Sequence, residues 1–171
     1  GVMKKFTKYL FLLLLIFNVA CDEGNGCIKR ITVPDNVNKT SAGFEFEPSY
    51  TIDVLCDFDE TTDINISEVL KNFSYEVVSF NYTPDTGNNS SKLQFEVKLI
   101  NGNTFEVEGL PIFLMRADGV EFSANYSGNS NNCSSISSNG TCTINYAKET
   151  SLETEKIKSL ELVSVKFLLP K

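Results

Sequence analysis

The sequence predicts an all-β fold built from antiparallel sheets. From residue 28 onward, apolar and polar residues alternate in several short segments, and clusters of Asn, Asp, Gly and Pro separate these segments. Alternation places the apolar side chains of a strand on one face, and turn clusters mark the ends of strands. Strands and long helices do not alternate along the chain, so a parallel sheet with crossover helices is not expected.

The first strands lie between residues 28 and 54. Ile31 and Val33 mark a weak first strand. The next segment carries its apolar residues at alternate positions: Phe44, Phe46, Tyr50, Ile52 and Val54. Pro48 falls inside this segment and has no N–H for a sheet hydrogen bond, so we expect a break, a bulge or a sheet edge there.

A short helix, a strand and a turn are expected next. The helix is predicted over residues 65–73, because Asn65 can cap its N-terminus and Glu68 lies three residues further on. Residues 75–82 return to a strand pattern. Residues 84–89 form a cluster of Pro, Asp, Gly and Asn that predicts a turn.

The apolar register predicts two hairpins. In the first, a three-residue loop over 101–103 places Leu99 opposite Phe105, whereas a slip of one residue would turn apolar side chains outward. In the second, a two-residue Asp118-Gly119 turn places Met115 opposite Phe122 and Arg116 opposite Glu121. Asp-Gly suits this turn because both positions adopt positive φ.

The remainder of the chain completes about eight strands. Residues 127–140 form a loop rich in Ser, Asn and Gly, and residues 141–146 form a strand. A helical turn is expected within 147–155. Residues 157–169 are a strand pair or one long bent strand. The whole pattern favours an antiparallel β-sandwich of the immunoglobulin-like type, with a closed barrel as the alternative.

The N-terminus has the three parts of a secretory signal. Lys4, Lys5 and Lys8 precede an uncharged apolar run over residues 10–17, and small residues follow. The run is shorter than the roughly 20 apolar residues that a transmembrane helix needs. We therefore expect export rather than a membrane-spanning segment.

The end of this signal resembles the lipobox of bacterial lipoproteins. Val19-Ala20-Cys21 matches its last three positions, while Asn18 stands where the family usually has Leu or Val. Asp22-Glu23 resembles the acidic export tag that follows the lipidated cysteine in surface lipoproteins of the Bacteroidetes. The resemblance implies cleavage before Cys21, acylation of Cys21 and an anchor of several acyl chains, because one chain binds membranes only reversibly.

These resemblances imply a domain organisation and a location. Residues 1–20 are a signal peptide, residues 21–26 a lipidated tether and residues 27–171 the β-sandwich domain. The protein is then expected on the outer membrane, exposed at the cell surface. The alternative is ordinary signal cleavage after Ala20, which would give a soluble secreted protein.

The cysteine count agrees with a lipidated Cys21, because it leaves an even number of cysteines: Cys27, Cys56, Cys133 and Cys142. An even number suits disulfides in an oxidising compartment. We favour a Cys133–Cys142 bridge because the residues between them are polar and turn-prone, which leaves Cys27–Cys56. Zinc is disfavoured, since the sequence has no histidine and no C-x-x-C pattern.

Charge and the missing histidine narrow the function. Residues 1–20 hold three of the 15 basic residues and none of the 22 acidic ones, so residues 21–171 carry a net charge of −10. Nucleic-acid binding needs basic clusters and is not expected. Ser-His and Cys-His nucleophiles are excluded for lack of histidine. Paired carboxylates for glycoside hydrolysis stay open, but no pair stands out, so neither an enzyme nor a cofactor is expected.

Residues 57–68 resemble an EF-hand calcium loop. The resemblance implies Ca²⁺ ligation by the oxygen-bearing residues Asp57, Asp59, Thr61, Asn65 and Glu68. Thr62 occupies the position where the family has glycine for its sharp turn. The alternative is a solvated acidic loop at the start of a helix.

The expected function is that of a binding or structural module with a protein or polysaccharide partner. Sugar-binding faces favour flat aromatic rings, and without tryptophan the tyrosines would supply them: Tyr50, Tyr75, Tyr82, Tyr126 and Tyr146. The loop over 127–140 is the expected contact surface. A carbohydrate-processing accessory protein or enzyme is the alternative.

Overall fold

The computed structural model describes residues 26–64, 66–126, 132–153 and 156–171. The described chain is all-β with antiparallel sheets, as predicted, and its thirteen strands exceed the eight expected. The strands are β1 Ile28–Val33, β2 Asn36–Thr40, β3 Gly43–Glu47, β4 Tyr50–Leu55, β5 Glu68–Val69, β6 Phe73–Thr83, β7 Ser90–Asn101, β8 Val107–Glu108, β9 Leu110–Ala117, β10 Val120–Ala124, β11 Ser135–Ile136, β12 Thr141–Ser151 and β13 Leu160–Leu169. One short helix, α1, spans Glu60–Asp63. None of the described residues form a helix with the length and apolarity to cross a membrane.

The three-stranded sheet has β7 at its centre, with β6 and β12 on either side. Antiparallel pairing places Phe95 opposite Phe80 on β6 and opposite Tyr146 on β12. Two residues from Phe95 on the same strand, Leu93 lies opposite both Tyr82 and Lys148. Because alternate residues of a strand share a face, these two rows project from the same side of the sheet.

The four-stranded sheet has the order β10-β9-β13-β5. Its β9–β10 hairpin confirms the predicted register, with Met115 opposite Phe122. Asp118 and Gly119 have φ values of 48° and 87°, as a two-residue primed turn requires. Strand β13 is one strand with an irregularity between Leu162 and Ser164, which agrees with the long bent strand rather than a strand pair.

The two larger sheets share one apolar core. Buried side chains from both enter a single cluster: Phe95, Val97, Leu99 and Ile144 from one, and Phe113, Met115, Val165 and Phe167 from the other. The opposite face of the four-stranded sheet is also covered. There Ile112 and Leu168 pack with Val37 of β2, and Phe44 and Phe46 of β3 lie against them. Around Ile112 and Leu168, the four-stranded sheet is therefore covered on both faces.

Two small ribbons precede these sheets. Strand β1 pairs with β4, and β2 pairs with β3. Pro48 lies between the end of β3 and the start of β4, which confirms the predicted break. Strand β2 was missing from the expected elements, because its sequence Asn-Val-Asn-Lys-Thr contains one apolar residue and gives almost no alternation signal.

The predicted hairpin over residues 93–107 is wrong. Strand β8 pairs with β11 instead of β7, since β6 and β12 occupy both edges of β7. Asn101 ends β7 fully buried, and its side-chain amide donates to the carbonyl oxygens of Phe105 at 2.9 Å and Ser137 at 3.0 Å. These bonds are incompatible with the predicted tight turn after β7. Phe105, which was expected to pack opposite Leu99, is instead 58% exposed.

The predicted helix over 65–73 is also wrong. Asn65 lies outside the described residues, but the remainder of this segment contains β5, a turn at residues 71–72 and the first residue of β6. Leu70 is buried in the shared core, and its N–H donates to the carbonyl of Phe167 at 2.8 Å. Packing against β13 therefore overrides a local capping signal that is only weakly stabilising. The expected helical turn over 147–155 likewise gives way to strand, since β12 continues through Ser151.

A buried carboxylate joins the ribbons to the four-stranded sheet. The Asp35 side chain is 4% exposed and accepts hydrogen bonds from Lys166 Nζ at 2.6 Å, Ser123 Oγ at 2.8 Å and Ser49 N–H at 2.9 Å. Burial raises the pKa of Asp35, but hydrogen bonds from Lys166, Ser123 and Ser49 outweigh it, so the pKa lies below its ordinary value. The carboxylate is therefore ionised in the folded protein at neutral pH.

Replacing Asp35 by alanine is expected to lower the free energy of unfolding by about 3 kcal/mol at neutral pH, because it leaves Lys166 without its buried partner. Urea unfolding measures the loss. Asp53→Ala is the control: Asp53 forms an exposed ion pair with Arg30, and such pairs contribute little.

The pH dependence of this loss follows from the lowered pKa. A carboxylate with a lowered folded-state pKa stabilises the protein above its unfolded pKa and ceases to do so as the pH falls through the folded value. The stability difference between wild type and Asp35→Ala should therefore narrow below about pH 4. A difference that stays constant down to acid pH would contradict an ionised Asp35.

Candidate ligand-binding groove

An aromatic groove lies where the two larger sheets separate at one end. The three-stranded sheet contributes Tyr82, Leu93 and Tyr146, and the hairpin of the four-stranded sheet contributes Val120 and Phe122. Its volume is about 470 Å³. This falls within the range of about 300–1,000 Å³ that small-molecule sites occupy.

The wall of the groove is continuous with the core. Tyr146 stacks on buried Phe95 with ring centroids 5.1 Å apart and planes 17° apart. Tyr126 meets Tyr146 nearly edge-on at 4.9 Å and Phe113 at 5.4 Å. Because the rings of Tyr126 and Tyr146 each contact neighbouring rings, this part of the aromatic surface is preorganised.

Tyrosine hydroxyls supply much of the polar character. Tyr82 Oη donates to the backbone oxygen of Ile157 at 2.9 Å, which positions its ring. Burial, with a smaller contribution from Tyr146, raises the pKa of Tyr126 to about 12. Burial also raises the pKa of Tyr146. Both hydroxyls therefore stay protonated at neutral pH and can donate hydrogen bonds to a ligand.

The remaining polar lining is neutral except for one cation. Ser91, Thr150 and Lys148 come from β7 and β12, and Lys148 is exposed. Lys148 is the one charged residue among the described residues that line the groove, and this lining includes no carboxylate. The groove therefore offers aromatic rings, hydroxyl groups and a single positive charge.

Three of the five candidate tyrosines meet in this groove, namely Tyr82, Tyr126 and Tyr146. Tyr75 instead packs against the shared core, and Tyr50 lies on β4 with 51% of its surface exposed. Phe122 and Lys148 also line the groove, although no motif in the sequence marks them as site residues. On β12 the residues 142, 144, 146, 148 and 150 share the core-facing side. Their change from apolar to polar marks where the core opens into the groove.

The disulfides have the pairing favoured by the sequence. Cys27 bonds to Cys56, and Cys133 bonds to Cys142. Cys21, the expected lipidation site, lies outside the described residues.

The expected contact loop over 127–140 is only partly described, since residues 127–131 lie outside the description. In the described part, Ser135 and Ile136 form β11 against β8. Cys133 and Ile136 are buried in the core. The described part of the loop therefore stabilises the fold, and only its exposed residues remain for a partner to contact.

The candidate calcium ligands belong to different local structures, apart from Asp59 and Thr61, which contact each other. Asp59 caps α1 and accepts from Thr61 N–H at 2.9 Å and Thr61 Oγ1 at 2.7 Å. Glu68 belongs to β5, whereas Asn65 lies outside the described residues. Asp57 lies in an exposed turn. Within the described ranges, no three His, Cys, Asp or Glu residues gather as a metal site would need. Calcium binding stays a prediction.

Comparison with protein-family models, with curated proteins and with solved structures gives no match for this chain.

Removing the Cys133–Cys142 bridge should destabilise the protein by about 3 kcal/mol, because its nine-residue separation closes a short loop in the unfolded chain. The double variant Cys133→Ser/Cys142→Ser and urea unfolding measure this loss. In the matched variant Cys27→Ser/Cys56→Ser, a separation of 29 residues predicts a larger loss of about 4 kcal/mol. Two variants as stable as the wild type would contradict the structural role of both bridges.

Proposed function

We propose that this protein is a lipid-anchored binding module of the bacterial cell surface and that the aromatic groove is its ligand site. The observation that carries the proposal is the convergence of Tyr82, Tyr126 and Tyr146 on one open groove. Fixed aromatic rings pack on the apolar faces of a ligand, and nearby hydroxyls orient it. A saccharide combines C–H faces with hydroxyl groups and suits this lining.

The lining favours binding over catalysis. Glycoside hydrolysis uses two carboxyl groups about 5–10 Å apart, and the described lining of the groove has none. The chain also has no histidine to serve as a general base. The groove therefore suits binding of a polysaccharide without turnover better than it suits hydrolysis of one.

The fold proposed for this module is a β-sandwich. Its support is the single apolar cluster that receives buried side chains from both larger antiparallel sheets. The immunoglobulin-like subtype belongs to the same proposal. It is supported only by the strand-rich, disulfide-linked sequence, since the observed strand order includes extra ribbons.

The anchor is proposed at Cys21. The two disulfides use four of the five cysteines, so Cys21 is the one cysteine without a disulfide partner in these pairings. A cysteine that follows Val19-Ala20 and precedes Asp22-Glu23 suits lipidation and export to the outer surface. The segment over 21–26 would then tether the domain to the membrane.

Radiolabelled palmitate tests the anchor. Cells that express the protein should incorporate the label, and Cys21→Ser should abolish it because the thioether cannot form. The single change Lys71→Gln is a control that leaves the labelled site intact. Absence of label in the wild type would instead support the soluble secreted form.

A glycan array with matched phenylalanine variants tests the groove. Wild-type protein should bind a subset of immobilised glycans, and Phe122→Ala should weaken this binding roughly tenfold by removing one aromatic contact. Phe105→Ala is the control, because Phe105 is 58% exposed and does not line the groove.

Two outcomes would contradict the groove as a glycan site. The first is a wild type that captures no glycan on the array. The second is a Phe122→Ala variant that binds glycans as well as Phe105→Ala does. Urea unfolding of both variants checks that their folds are equally stable.

A further inference from the structure

Lys148 has a distinct position in the groove. It lies on β12 between Tyr146 and Thr150, which share its face of the strand. Its neighbour on β7 is Leu93, and the same row continues to Tyr82 on β6. The ammonium group therefore extends from the same surface that carries the tyrosine rings.

The positive charge of Lys148 has no partner among the described residues. No ion pair or hydrogen bond of its side chain occurs among the described residues, whereas Lys29, Lys39 and Lys166 each pair with a carboxylate. The adjacent Glu149 points to the other face of β12, where its carboxylate accepts from Ser90 Oγ.

Three acids that are adjacent in sequence to residues of the groove also have partners. Asp118 accepts from the backbone N–H groups of Lys158 and Ser159. Glu121 and Glu161 both pair with Arg116. An acidic protein that carries a net charge of −10 after residue 20 thus leaves an unpaired lysine in its aromatic groove. The positive charge in the groove is therefore complementary to a negatively charged group on a ligand.

We infer that the groove binds a saccharide that carries a carboxylate, which rests on the groove being the ligand site as proposed above. The sugar ring packs against the tyrosines, and hydroxyl groups of Tyr126, Tyr146 and Thr150 hydrogen-bond its hydroxyls. The carboxylate pairs with Lys148 Nζ. Neutral sugars make the ring and hydroxyl contacts but leave the lysine unpaired, so they bind more weakly.

A glycan array printed with carboxylated glycans and the methyl ester of each tests the inference. Esterification keeps the ring and removes the charge, so the wild type should bind each ester about threefold more weakly than its acid, as expected for an exposed ion pair. Lys148→Gln should weaken binding of the acids about threefold and leave binding of the esters unchanged. Lys71→Gln is the matched control, since Lys71 is exposed and does not line the groove.

The possible results separate this inference from the proposed function. Equal binding of acids and esters, or wild-type binding of acids by Lys148→Gln, overturns the inference. If the wild type then binds neutral glycans and Phe122→Ala weakens this binding, the groove remains the ligand site. If no glycan of either kind binds, both proposals fail.

Discussion

The packing of aromatic rings around Phe95 is the interaction on which both the core and the groove depend. Phe95 is 3% exposed and contacts Phe113, Tyr126 and Tyr146 at centroid distances of 5.1–5.3 Å. Phe113 belongs to the four-stranded sheet, so the cluster joins the two sheets. Its tyrosines also form the wall of the groove. The contacts that stabilise the fold therefore also fix the rings of Tyr126 and Tyr146, which lowers the cost of ordering them on binding.

Local chemistry predicted some elements well. Asp118-Gly119 fixed its hairpin because few residue pairs accept positive φ at both positions. Pro48 interrupted its strand for lack of an N–H, and the polar sequence between Cys133 and Cys142 was compatible with a short bridged loop. In each case the cause lies within a few residues of the element, where a single sequence carries the information.

Long-range pairing was predicted poorly, for a physical reason. The alternation on β7 and around Val107 suits any antiparallel partner, so the nearest strand in sequence looked correct. The true partners of β7 begin at Phe73 and Thr141. At the end of β7, Asn101 is buried with its side-chain amide donating to three backbone carbonyl oxygens, and alternation does not encode such long-range contacts. Likewise, the tyrosines were recognisable as candidates, but only the pairing of β6, β7 and β12 brings Tyr82 and Tyr146 to one groove.

Tyrosine ring resonances in NMR offer the most direct test of the groove as a saccharide site. Three of the five tyrosines after residue 20 line the groove, while Tyr50 and Tyr75 lie elsewhere and serve as internal controls. On titration with a carboxylated oligosaccharide, the ring signals of Tyr82, Tyr126 and Tyr146 should shift with one common affinity, and those of Tyr50 and Tyr75 should not. Shifts confined to Tyr50 or Tyr75, or no shifts in the groove tyrosines, would contradict the account.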